Sequence, residues 1–249
     1  MRKLLFLLLI SSFSAVALAQ DLTVAAAADL SSVFPEVTRQ FEAKTGKHIN
    51  LTFGSSGNIT QQIQNGAPYD VFFSADSQYP KKLEEAGLVE PGSAVKYALG
   101  KIVLFVPSSS KVNLIQGPGV LLSPEVNKIA IANPAHAPYG RAAVEALKNE
   151  GLYDRVKNKF VVGENISQAA QYVGTGNTDA GIIALSLAFS MKDRGRYVEI
   201  PLTDYTPIEQ SAVILKRCKD KQTAKAFFEF LKTPAVRNLL IAHGFTLPN

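Results

Sequence analysis

Tryptophan is absent from this chain, methionine occurs twice, histidine three times, and Cys218 is the one cysteine. A single cysteine excludes an intrachain disulfide and any metal centre built on several thiolates. Cys218 itself reads as a small buried hydrophobe. The lack of tryptophan argues against a sugar receptor, which would want broad aromatic stacking faces. His48, His136 and His243 stand in different contexts, and none has a partner at metal-ligand spacing. No Walker loop or dinucleotide fingerprint occurs. The 26 basic and 21 acidic residues give a formal net charge of +5. Basic residues such as Lys81, Lys82, Lys101, Lys128, Lys216 and Arg217 are scattered, with no stripe of interleaved aromatics, so nucleic acid is not an expected partner.

The long apolar run is confined to the start. Arg2 and Lys3 form a positive n-region, Leu4 to Leu18 an apolar segment, and Ala17-Leu18-Ala19 a small-x-small cleavage pattern. That is a signal peptide over 1–19, cleaved after Ala19, with an apolar core too short to span a membrane comfortably. No cysteine follows the cleavage point, so the expected product is free in the periplasm and not lipid-anchored. Removing nineteen of the 249 residues leaves 230, and the loss of Arg2 and Lys3 lowers the formal charge from +5 to +3.

Short β-rich runs then alternate with helical patterns, the mark of an α/β fold. Strands are expected at 22–27, 48–53, 71–74, 101–106, 128–132, 160–162, 180–185, 197–200 and 212–216. Leu30, Phe34, Val37 and Phe41 share one helical face that Gly46 can end, with Pro35 the awkward residue within it. Further helices are expected at 59–65, 140–149, 166–173 and over the C-terminal segment, and 107–127 is expected to be largely loop. The order suggests two lobes, 20–104 with 211–249 and 105–210, with Lys101 to Val106 and Ala212 to Lys216 as crossing strands.

Four strand-to-helix junctions are rich in small or hydroxyl residues: 27–32, 54–58, 135–140 and 163–167. In parallel α/β sheets such junctions lie where ligands bind. Helix N-termini offer unpaired N–H groups and about half a positive charge each, so several converging would hold an anion without arginine or lysine. Gly54-Ser55-Ser56-Gly57 carries the sharpest signal, although an ordinary serine helix cap explains it equally well. It does not match the Gly-x-Ser-x-Gly nucleophile elbow. Asp70 and Asp76 bracket a strand and read as readily as solvated ends as an acid pair.

Ala-Ala-Ala-Asp-Leu (26–30), Phe-Gly-Ser-Ser-Gly (53–57), Gly-Ala-Pro-Tyr-Asp-Val-Phe-Phe-Ser-Ala-Asp (66–76), Asn-Pro-Ala-His-Ala-Pro-Tyr-Gly (133–140) and Gly-Phe-Thr (244–246) follow one another in order. Together they resemble the periplasmic molybdate-binding proteins of ABC importers, over essentially the whole chain after the leader. The resemblance implies a type II periplasmic-binding-protein fold, each lobe a mostly parallel sheet flanked by helices, the two joined by crossing strands. It further implies a monomeric, non-catalytic receptor without cofactor, whose partners are molybdate or tungstate and a membrane permease. Neutral hydrogen bonds would hold the anion's oxygens, through Ser56 and the backbone N–H groups of Tyr139 and Ile166, with no direct cation ligand. Two positions depart from the pattern. Asp29 stands where many members have serine or asparagine, and Ala184 where some have tyrosine. The expectation is that Asp29 presents its N–H, turns its carboxylate away to cap the helix and leaves Ser31 to donate, with Tyr139 compensating for the hydroxyl missing at Ala184. The alternatives are a receptor for phosphate or sulfate, an exported hydrolase using Ser55 or Ser56 with a histidine, and a structural or adhesive domain.

Overall fold

The computed structural model describes residues 21–248, so the leader read at 1–19 lies outside the described residues. The first lobe opens with β1 (Leu22–Ala27), α1 (Phe34–Thr45), β2 (Ile49–Gly54), α2 (Ser56–Gln64), β3 (Val71–Ser74), α3 (Gln78–Glu85) and β4 (Val95–Gly100). The second holds β5 (Ile102–Pro107), β6 (Ile129–Ala132), α4 (Pro138–Asn149), α5 (Tyr153–Val156), β7 (Phe160–Gly163), α6 (Ile166–Gly174), β8 (Ala180–Ala184), α7 (Leu185–Ser190) and β9 (Gly195–Glu199). The chain then returns to the first lobe through β10 (Ile208–Ile214), α8 (Lys221–Leu231) and α9 (Pro234–Ala242).

Each lobe is built on a five-stranded sheet, ordered β2-β1-β3-β10-β4 and β7-β6-β8-β5-β9. One strand in each, β10 or β5, runs against its neighbours on both sides, so the other four share a direction. The carboxyl ends of β1, β2 and β3 therefore lie side by side, as do those of β6 and β7. The sheets change between Gly100 and Ile102 and again between Glu199 and Ile208, earlier than the 104/105 and 210/211 boundaries drawn from sequence. The reason is burial: all six residues of β5 are covered, and Ile102 to Val106 belong to the second lobe's core.

Pro35 settles the first helix. The residues from Ala28 to Ser32 form a separate 3-10 turn, and Pro35 occupies the first turn of α1, where its missing N–H costs nothing. Gly46 closes α1 in the left-handed region at φ 69°, a conformation glycine adopts without a Cβ clash. The first core gathers Phe34, Phe41, Phe73, Tyr97 and Phe227. Phe34 meets Phe73 edge-on at 4.8 Å and Phe41 meets Phe227 at 5.1 Å. Such pairs add about 0.5–1.5 kcal/mol each beyond area burial, and through Phe227 they bind α8 to the sheet. Cys218 is buried, and burial pushes its thiol up to about 11, so it behaves as packing.

Candidate oxyanion site

The four junctions meet. A small cavity between the lobes is lined by Ala27, Ala28 and Asp29, by Gly54, Ser55 and Ser56, by Ala137, Pro138 and Tyr139, and by Ile166 and Ala75. The first three groups and Ile166 are the expected junctions. Ala75 follows β3 and was not singled out, though the rule that ligands bind at strand carboxyl ends also covers it.

Each junction presents N–H groups because its helix begins there. Ser55 caps α2 and accepts from the N–H of Asn58 at 3.4 Å. Asn165 caps α6 and takes the N–H groups of Ser167 and Gln168 at 3.0 and 3.1 Å, which leaves that of Ile166 outside the cap. Pro138 opens α4, so the first N–H of that helix is Tyr139's, with no carbonyl one turn earlier to take it. Ser56 is fully buried, and its Oγ accepts from the N–H of Ala75 at 3.0 Å. A hydroxyl that accepts in this way keeps its own hydrogen for a ligand. No lysine or arginine lines the cavity.

Asp29 does not cap a helix. The 3-10 turn has no side-chain cap, and the Asp29 carboxyl is instead buried against α4 and β10. Its Oδ2 accepts from Tyr139 Oη at 2.9 Å and from Gln210 Nε2 at 2.7 Å. Tyr97 donates to Gln210 Oε1 at 3.1 Å, which extends the network into the first core. Asp29 Oδ1 is buried without a hydrogen-bond partner. Loss of solvation outweighs the hydrogen bonds from Tyr139, Asp29's own backbone and Gln210, and pushes the carboxyl from 3.8 up to about 7. The Tyr139 phenol is held well above its ordinary value, by burial first and then by the Asp29 charge. Because that hydroxyl is committed to Asp29, it cannot replace a donor at Ala184, which is buried at the start of α7 and does not line the cavity.

Ser31 is not brought to the cavity. Its Oγ lies 3.1 Å from Ser167 Oγ, and Ser167 donates to the Ala28 carbonyl at 2.7 Å. Both bonds join the lobes, as does Ser186 Oγ donating to the Asp29 carbonyl at 2.9 Å. The opposite wall has its own set of bridges. Gly57 N–H donates to the His136 carbonyl at 2.9 Å, Asn58 bonds Glu164, and Arg141 bonds Asp76 while lying over the Tyr79 ring. The packing at Gly57 is close: a Cβ there would fall 2.7 Å from the His136 carbonyl oxygen and 2.8 Å from Tyr79 Oη.

Ser55 Oγ and His136 Nδ1 stand 2.8 Å apart, and His136 Nε2 lies 3.7 Å from Glu164. The trio resembles a nucleophile relay in residue types but not in geometry. The carboxylate is beyond hydrogen-bond reach of the imidazole, so nothing orients the base. His48, which pairs with Glu42, and His243, beyond α9, lie outside the cavity. Asp70 accepts from the Thr23 N–H at a strand start, and Asp76 belongs to the bridge with Arg141, so they form no acid pair.

Comparison with known proteins places this arrangement. The chain is 40% identical to the molybdate-binding protein ModA of Azotobacter vinelandii, over 92% of its length and 91% of the relative's. It is 37% identical to that of Rhodobacter capsulatus, over 96% and 93%. The solved structure of the Azotobacter vinelandii periplasmic molybdate-binding protein superposes with a TM-score of 0.87 at 36% identity, covering 92% of this chain and all of that one. Residues 22–246 match the profile of the bacterial extracellular solute-binding proteins, and to that family the chain belongs.

Proposed function

We propose that the protein is a periplasmic receptor that captures molybdate, or tungstate of nearly equal size and charge, and delivers it to an ABC-type permease. It works as a monomer, without cofactor and without catalysis, after the leader is cleaved behind Ala19 and with no lipid anchor. The observation that carries the reading is the convergence of α2, α4, α6 and the 28–32 turn on one cavity without a cation. A fully deprotonated tetrahedral dianion asks for hydrogen-bond donors and gives none back. Ser56 Oγ and the N–H groups of Tyr139 and Ile166 supply donors from three elements, and the relatives named above support the choice of molybdate.

Mechanically, the ligand draws the lobes together because its donors belong to both. The hydrogen bonds at Gly57 and Ser186 join the lobes on either side of the cavity. A hinge motion that makes them on ligand binding gives the permease a shape to read.

A second reading has a specific basis in Asp29. An ionised carboxylate at about 5 Å from a dianion would cost roughly 7 kcal/mol even at an effective dielectric of 20. A monoprotonated oxyanion such as hydrogen phosphate could instead donate to it. A thermal-shift screen with molybdate, tungstate, sulfate and phosphate separates the two. Molybdate and tungstate should give large shifts, and Ser56→Ala should lose most of them. The loss corresponds to about 10- to 150-fold in affinity for a hydrogen bond to a charged ligand. A phosphate shift equal to that of molybdate would overturn the molybdate reading.

A further inference from the structure

The feature that the receptor reading leaves unused is the buried network at the floor of the cavity. Asp29 is fully covered and lines the cavity. The groups that face it are neutral donors: Tyr139 from α4 and Gln210 from β10, with Tyr97 of β4 behind Gln210 and Ser186 of α7 on the Asp29 carbonyl. The Tyr97 and Tyr139 phenols are both held well above their ordinary values by burial, and so stay protonated. The charged groups nearby are occupied elsewhere: Arg141 pairs with Asp76, and Glu164 faces His136 and Asn58. Both side-chain bonds to Asp29 end on Oδ2, and Oδ1 has none among the described residues. A carboxyl held in this way has one oxygen fixed as acceptor and the other open to carry a proton.

We propose that Asp29 is the proton-linked specificity group of the cavity: when a tetrahedral dianion enters, its carboxylate takes one proton from solvent on Oδ1 and becomes a neutral, hydrogen-bonding acid, so that the receptor binds the dianion together with a proton. The inference rests on the oxyanion reading and deepens it. The Oδ1–H bond forms with a proton drawn from water or buffer, and no other bond changes. The carboxyl of the free protein already titrates near 7, and an approaching dianion raises it further because like charges disfavour ionisation. By linkage, a site that gains a proton on binding loses affinity as pH rises through the free-state value. Below that value the acid is already neutral, and affinity is flat. Above it, the dissociation constant rises about tenfold per pH unit until the bound-state value is reached.

The test is titration calorimetry with sodium molybdate on the mature chain, in HEPES and in Tris at pH 8.5, and in MES and in bis-Tris at pH 6.0. Buffers of different ionisation enthalpy report the protons taken up. The expected result is close to one proton per molybdate at pH 8.5, almost none at pH 6.0, and affinity at least tenfold weaker at the higher pH. Asp29→Asn, checked for cooperative melting, should bind with no proton uptake, with equal affinity at both pH values, and more tightly than the wild type at pH 8.5. Molybdate binding by the wild type without proton uptake and with a flat profile would overturn the proton linkage and leave the receptor function standing. Absence of binding at both pH values would overturn the oxyanion reading, and the linkage with it.

Discussion

Asp29 sets the terms at the scale of single residues. Its folded-state carboxyl is raised from 3.8 to about 7, desolvation being the largest cause. Between these values the folded chain holds a proton that the unfolded chain has released, so stability falls as pH rises from about 4 to about 7 and is level above. About three pH units correspond to on the order of 4 kcal/mol, an upper figure since buried sites relax. Asparagine keeps an acceptor for Tyr139 and Gln210 and carries no charge. Asp29→Asn should therefore raise the melting temperature of the ligand-free protein at pH 8 by about 4–10 °C, and at pH 5, only part of the way through that window, by roughly a third as much. A lower melting temperature at pH 8 would show that the ionised carboxylate is welcome in the fold. Ser56 is the complementary case. Its Oγ accepts from Ala75, so Ser56→Ala leaves one buried N–H unpaired and should cost about 1–3 kcal/mol of stability, read in urea unfolding, besides the loss of ligand affinity.

At the scale of elements, the proposed receptor function rests on the helix starts, and Gly57 tests whether closure matters. In α2 an alanine at this position has the better helix propensity, by about 1 kcal/mol, so the first lobe should not suffer. A Cβ would nevertheless strike the His136 carbonyl across the cleft, and the far end of the Tyr79 side chain on α3 of its own lobe. Gly57→Ala is expected to weaken molybdate binding by tenfold or more while the ligand-free melting temperature holds or rises. Equal loss in both would mean that Gly57 serves only its own helix. The junctions themselves were legible because a change from strand to helical periodicity and a cluster of small and hydroxyl residues fall at the same place. What lay within them was less so. The direction of the Asp29 carboxyl depends on Gln210, 181 residues away and brought alongside by β10. No local sign pointed to it, since Gln210 is one of three consecutive polar residues, Glu209 to Ser211, in that strand. Ser31 was misplaced for a related reason: in a 3-10 turn its side chain faces Ser167 on the other lobe, and no spacing rule reports that. α3 and β4 drew no assignment because Lys81, Lys82, Glu84 and Glu85 leave only Pro80 and Leu83 to bury in the first, and the second is an edge strand carrying Lys96.

At the scale of the whole molecule, the first lobe holds an aromatic-rich core on one face of its sheet and a smaller, mainly aliphatic one on the other, and these meet the aliphatic core of the second lobe along a polar seam. Among the described residues the seam is held by short polar bonds and one ion pair, Arg141–Asp76, and such partly exposed pairs contribute about 0–1 kcal/mol each. That is weak enough to open and strong enough to bias closure once a ligand ties both sides. Arg141→Gln should raise the molybdate dissociation rate by about two- to fivefold in stopped-flow displacement, with little change in association; an unchanged rate would place the pair outside the closing machinery. The most direct test of the central claim is titration calorimetry of the mature protein at pH 7 with molybdate, and with sulfate and phosphate as competitors. The account predicts one molybdate per chain, displaced by tungstate and not by equal concentrations of sulfate or phosphate. No binding of molybdate, or equal competition by phosphate, would contradict it.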